Sequence, residues 1–422
     1  MHSKKTYALD TMARMMPHTR TRYRPPVFRL EAVLTEAVDP APLQQAVNDL
    51  APRFPIMYTR LRRGFIWHYL EDAREFAFVG EDNGVPCRIF DLRDKNTPLL
   101  RVLYKENRLS VEAGHLTADI CAVTYFSTLL ARYFELQGYE TQTNRHILNY
   151  LDTPEETELT DFFPVVYEKQ EKKKSLLEPP VFRYLPKCTG RRITNVQIPV
   201  DALKVLLKEK YAGCTVTEYL NAVYSCAFLK LYEKSRAKKK RRPVKMCLMA
   251  DLRNYWDTNT QRNFVGSVFA NVVPEKEDYD IHDVLEIIRR ETKDGLTKEK
   301  MTEFVSHNVD HLKPMNFVPG FLKSFLVRAG APFGRFVWPY TSSISNVGYV
   351  RLPDSFAGHV KSFALMVGGF ELSQNNCAIV GVNNLLTMSF TAVNTCTEIE
   401  DFCVGFLQKD GLQVAKGRSY PC

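Results

Sequence analysis

Apolar and polar positions along the chain switch repeatedly between a two-residue and a three-to-four-residue period, the pattern of strands alternating with helices. Val27 to Leu34 reads as an extended segment. Asp39 then caps a helix whose Leu43, Ala46, Val47 and Leu50 fall on one face. Short apolar runs predict strands at 56–60, 64–70, 86–90, 99–104 and 108–113. The polar turn Lys105-Glu106-Asn107 joins the last two as a hairpin. From 118 to 137, Ile120, Val123, Phe126, Leu129, Leu130 and Phe134 recur at helical spacing, which predicts a helix packed along much of its surface.

Between 152 and 186 the composition shifts to Glu, Lys and Pro, with Glu168-Lys169-Gln170-Glu171-Lys172-Lys173-Lys174 ahead of Glu178-Pro179-Pro180. That stretch reads as a linker. Beyond it the alternation resumes, with strands at 192–200, 244–250, 265–273, 360–367 and 385–393 and helices at 201–210, 215–233, 281–292 and 298–311. Phe317 to Ala331 is an apolar segment, and a helix over 398–408 closes the chain. The expected organisation is an α/β fold with mixed sheets: a first unit at 1–165, a linker at 166–180 and a second unit at 181–422. Two similar halves place a cleft between them.

Composition adds limits. The 422 residues are 45% hydrophobic and 25% charged, which suits a large core and excludes a disordered or fibrous chain. The N-terminus lacks the apolar stretch of a secretory signal, and no apolar run is long enough for a membrane helix, so a cytoplasmic protein is expected. Ten widely spaced cysteines without a C-x-x-C pair read as reduced. Of the net charge of +9, residues 233–245 carry eight cations against one acid. With no nucleic-acid-binding module beside it, that cluster reads as a solvated turn or as an anchor for a phosphorylated ligand. Lys238, Lys239, Lys240, Arg241 and Arg242 are the candidate phosphate contacts. No nucleotide-binding glycine pattern or G-x-S-x-G elbow occurs, and His307-Asn308-Val309-Asp310-His311 lacks the glutamate of H-E-x-x-H, so no metal is expected.

The candidate chemistry sits where the 108–113 strand runs into the following helix, in Gly114-His115-Leu116-Thr117-Ala118-Asp119-Ile120. An imidazole at such a junction can face a cleft and take a proton from a nucleophile. Spacing alone does not single it out, because His68 and Asp72 repeat it at the end of an aromatic strand. Context separates the two. Residues 108–131 resemble the signature His-His-x-x-x-Asp-Gly of the histidine-dependent acyltransferases, which include chloramphenicol acetyltransferase, peptide-synthetase condensation domains and alcohol acyltransferases. Phe28-x-Leu, Val38 to Ala46 and Arg53-Phe54-Pro55 resemble that family's opening elements. Ala250-Asp251-Leu252-Arg253, Arg262 to Gly266 and Ile344-Ser345-Asn346-Val347-Gly348 resemble its bacterial alcohol acetyltransferase branch. Gly114 replaces the first histidine and Ile120 the closing glycine.

The resemblance implies two chloramphenicol-acetyltransferase-like subdomains with an active-site tunnel between them. It further implies transfer of an acetyl or longer acyl group from a thioester to an alcohol or amine, with His115 as general base. Asp119 would pair with Arg253 to hold the catalytic loop. Gly114, Ser345 and Asn346 are the candidate oxyanion or acceptor contacts. The co-substrate would be acyl-coenzyme A or an acyl carrier protein, with no resident cofactor. A condensation-type enzyme acting on carrier-bound substrates and an inactive binding protein are the other readings open at this point.

Overall fold

The computed structural model describes residues 4–19, 26–92, 94–170, 180–187, 190–211, 213–235, 242–272, 279–330, 340–368 and 373–421. Strands of the first half are β1 (Thr6–Ala8), β2 (Val27–Leu34), β3 (Thr59–Arg62), β4 (Tyr69–Asp72), β5 (Val79–Glu81), β6 (Leu100–Lys105) and β7 (Arg108–Gly114). Those of the second are β8 (Arg192–Pro199), β9 (Val244–Asp251), β10 (Val265–Val272) and β11 (Ser342–Tyr349), then β12 (Val360–Val367), β13 (Asn375–Val382), β14 (Leu385–Ala392) and β15 (Ala415–Pro421).

They form a seven-stranded sheet ordered β10-β9-β11-β13-β14-β8-β15, a five-stranded sheet ordered β12-β2-β7-β6-β5 and a small sheet β1-β4-β3. β12 crosses from the second half to pair antiparallel with β2, Phe363 opposite Ala32 and Leu365 opposite Leu30. The expected hairpin is present, with Lys105 opposite Arg108 and Glu106 in the left-handed region at φ 52°.

On the five-stranded sheet lie the helices Pro40–Leu50 and Cys121–Glu135. Asp39 caps the first by accepting from the Ala41 amide at 2.9 Å. Leu43, Val47 and Leu50 pack with Val123, Phe126, Leu130, Leu100 and Val111, and Phe356, Phe363 and Val380 from the second half join the same core. The seven-stranded sheet packs against Val200–Lys210, Val216–Glu233, Ile281–Gly295 and Glu398–Lys409. Thr215 and Glu218 form a reciprocal capping box on the longest of these.

Four expectations are corrected. The strand expected over 64–70 is loop through His68, and only Tyr69–Asp72 is strand. The strand expected over 86–90 is irregular backbone, because Cys87 takes φ 53° and its amide turns to the Glu112 carboxylate at 2.7 Å. Phe317–Ala331, read only as apolar, carries the helix Gly320–Gly330. The 398–408 helix does not close the chain: β15 follows and pairs with β8 at the sheet edge, where Gly417 and Pro421 are tolerated. Most of the linker, residues 171–179, lies outside the described residues.

Between the two large sheets the facing side of β2 is polar. Arg29 is fully buried and donates to Glu31 at 2.7 Å and to Ser110 at 2.8 Å, with Asp82 also on its guanidinium. Glu112 lies 3.5 Å from the same guanidinium and 2.8 Å from Arg101. Three buried acids around two arginines would be intolerable unpaired, and here each carboxylate has a cation beside it.

Candidate active site

β7 ends at Gly114, and its register with β2 sets Gly114 opposite Val27. Gly114 donates to Leu99 O at 2.8 Å and His115 donates to Pro26 O at 2.7 Å. The chain then folds back, with the Thr117 amide and hydroxyl both donating to Gly114 O at 2.9 and 2.8 Å. This turn carries the half-buried His115 out of the sheet and delivers Asp119 to the start of the next helix. Ile120 occupies ordinary right-handed backbone at φ −54°, so the position does not demand the glycine of the family pattern.

Asn263, 1% exposed, holds the imidazole. Its Nδ2 donates to His115 O at 3.1 Å and to Asp10 Oδ2 at 2.9 Å. Both partners are acceptors, a carbonyl and a carboxylate, which fixes the orientation of the amide. Its Oδ1 therefore faces His115 Nδ1, at 2.9 Å. A carbonyl oxygen can only accept, so Nδ1 carries a proton, and in the neutral imidazole Nε2 is the nitrogen with the free lone pair. Phe28 meets the ring edge-on at 5.7 Å. Arg262 braces Asp10 from behind at 3.4 Å.

Asp119 points the other way. Arg253 Nη2 reaches its two oxygens at 3.1 and 3.2 Å and Nη1 lies at 3.3 Å. The Phe264 amide donates to Asp119 Oδ2 at 2.6 Å and the Cys121 amide to Oδ1 at 3.1 Å. Arg253 also donates to Thr260 O, Arg262 O and Asp251. Burial, the largest single influence, works to lower its pKa, but Asp119, Cys121 and Asp251 together outweigh it and raise it. The loop carrying His115 and the segment 260–264 are thus fastened at three points: Asn263 to His115, the Phe264 amide to Asp119, and Arg253 bridging Asp119 to the Thr260 and Arg262 carbonyls.

The remaining candidates fall elsewhere. Asn346 donates to Thr217 Oγ1 at 2.8 Å and accepts from the Gly348 amide at 2.9 Å, and neither it nor Ser345 hydrogen-bonds to His115. The Gly114 amide is committed to Leu99 O, whereas those of Leu116 and Ala118 have no acceptor among the described residues. Lys238 to Arg241 lie outside the described residues, and Arg242 is half-buried. Among the described residues no group of three or more His, Cys, Asp or Glu could hold a metal. Asn263 and Asp10 were not reached from the sequence. The block Arg262-Asn263-Phe264 is visible in the sequence, but an amide has no diagnostic spacing.

The other His-x-x-x-Asp pair is a different structure. Asp72 turns to Arg74 at 2.8 Å, and the His68 ring lies 5.0 Å from that of His18. His18 is buried, and burial followed by the charge of Lys323 lowers its pKa to about 4. Between pH 6.5 and 4 the unfolded chain therefore binds a proton that the folded one refuses, so stability falls as pH falls. Urea titrations should show a loss on the order of 2 kcal/mol between pH 7 and pH 4.5 that His18→Phe removes. An unchanged pH slope in that variant would contradict the assignment.

No protein-family profile and no curated protein sequence matches the chain. Solved structures do. The TRI3 trichothecene 15-O-acetyltransferase of Fusarium sporotrichioides superimposes with a TM-score of 0.61 at 11% identity, covering 95% of this chain and 94% of that one. TRI101 of F. graminearum, complexed with coenzyme A and deoxynivalenol, gives 0.62 at 11% identity over 97% and 99%. Polyketide synthase associated protein 5 of Mycobacterium tuberculosis gives 0.57 at 14% identity over 90% and 93%. The chain has the two-subdomain, chloramphenicol-acetyltransferase-like fold that the sequence resemblance implies.

Proposed function

We propose that the chain is an acyltransferase that moves an acyl group from a thioester, acyl-coenzyme A in the first instance, to an alcohol hydroxyl. The observation that supports this reading is the amide of Asn263, whose two acceptor partners turn its oxygen toward Nδ1 and so make Nε2 the basic nitrogen of the neutral His115 ring. In the reaction the acceptor hydroxyl gives its proton to Nε2 as its oxygen attacks the thioester carbonyl carbon. The tetrahedral intermediate then collapses, the carbon–sulfur bond breaks and the thiolate takes the proton back from Nε2. The oxyanion needs donors, and the Leu116 and Ala118 amides are free to serve. Asp119 and Arg253 act by holding the loop, which falls within the first of the two subdomains we assign at 1–165 and 181–422.

The deciding experiment incubates the protein with acetyl-coenzyme A and a panel of alcohols while free thiol is followed. Thiol release that requires the acceptor supports the proposal. Silence with coenzyme A but turnover with a loaded carrier protein would shift the reading to a condensation-type enzyme, and silence with both would point to a binding protein. Asn263→Ala should lower kcat about tenfold or more with little change in KM, because it frees the imidazole rather than a substrate contact. A rise confined to KM would place Asn263 at the acceptor instead.

A further inference from the structure

A concave site lies in the seam between the two large sheets, at the opposite end of β7 from His115. β7 runs seven residues from Arg108 to Gly114, so the two ends stand about 20 Å apart. The seam encloses about 170 Å³, lined by Glu31 of β2, Arg108 of β7, Asn195 of β8, Thr387 of β14 and Arg418 and Tyr420 of β15.

Several of its buried polar atoms are unspent. Asn195 is 6% exposed and Thr387 1%, yet Asn195 Oδ1 and the Thr387 hydroxyl have no hydrogen-bond partner. Arg108 Nε is buried without one, and neither Arg108 nor Arg418 meets a carboxylate among the described residues. Native interiors seldom leave such atoms bare unless something else satisfies them. The one acid in the lining is already occupied: Glu31 accepts from Arg29 at 2.7 Å on one oxygen and from the Tyr420 hydroxyl on the other. The uncompensated charge facing the cavity is therefore positive.

We propose that this cavity binds a small oxyanion, a phosphate or carboxylate, on a molecule that also carries a hydroxyl group. Arg108 and Arg418 take the anion, Arg418 from the exposed rim and Arg108 from the wall. Thr387 and Asn195 Oδ1 take the hydroxyl. A cavity of this size holds a molecule somewhat larger than benzene, on the order of six to nine heavy atoms. The occupant is either a free metabolite or the phosphate end of a long thioester substrate, since both present the same oxyanion. Its contacts join β2 and β7 of one sheet to β8, β14 and β15 of the other. The site does not depend on the role given to His115.

Calorimetric titration of the full-length protein with inorganic phosphate, glycerol 3-phosphate, malate and coenzyme A tests this. At least one small oxyanion should bind saturably. Arg418→Gln, on an exposed residue that leaves the fold alone, should weaken it about tenfold or more, and the isosteric Thr387→Val should weaken the hydroxyl-bearing probes severalfold. His115→Ala should leave these affinities unchanged. Competition by coenzyme A supports the proposal with the thioester's phosphates as occupant, and independent binding supports it with a separate metabolite. Absence of saturable binding by all four probes, or wild-type affinity in both Arg418→Gln and Thr387→Val, overturns it.

Discussion

His115→Ala is expected to lower kcat for acyl transfer by about 10²- to 10⁴-fold, the range a positioned general base supplies. The fold should survive it. His115 is half-buried, and its side chain makes one hydrogen bond, to Asn263, and one edge contact, to Phe28. Its backbone bonds to Pro26 and Asn263 persist in alanine. Urea midpoints should shift little while acceptor-dependent thiol release disappears. His115→Gln, which keeps a polar group but cannot take the proton at neutral pH, should be equally inactive. A fully active His115→Ala enzyme would falsify the assignment.

Asp119→Ala should act on stability first, by about 3–5 kcal/mol, because it removes the carboxylate from a nearly buried arginine. It also strands the Phe264 and Cys121 amides, which donate to the same group. Activity should fall with it, since the segment 260–264 would no longer be pinned beside His115. Arg253→Lys is the sharper variant: charge is kept, but an ammonium cannot reach Asp119, Asp251, Thr260 O and Arg262 O from one position as the guanidinium does. Denaturation curves of Asp119→Ala that overlay the wild type would show that this pair holds nothing.

Much of the frame was legible because it is written in local periods. β2, the helix Pro40–Leu50, the β6–β7 hairpin and the capped helix Val216–Glu233 each announce themselves by alternation, a cap or a turn. β13 does not, since it is buried on both faces and its residues Asn375–Val382 show no two-residue period. β15, with Lys416, Gly417 and Arg418, reads as loop and becomes a strand only because β8 offers an edge. The site divides in the same way. His115 and His68 are equivalent in spacing, and what distinguishes them is the partner each aspartate finds, Arg253 for one and Arg74 for the other. Arg253 lies 134 residues from Asp119 and was reachable only through the resemblance of its block. Asn263 selects the tautomer of the neutral imidazole, yet its spacing marks it in no way.

The crossing of β12 sets what a break in the backbone can do. Residues 1–165 alone lack the strand that covers β2, and Phe363 and Phe356 are missing from their core. A protease cut within 166–180 should therefore yield two fragments that co-elute as one particle and separate only in denaturant. Expressed singly, the first fragment would present the open flank of β2 as a template for aggregation, so the halves should be recovered soluble only when made together.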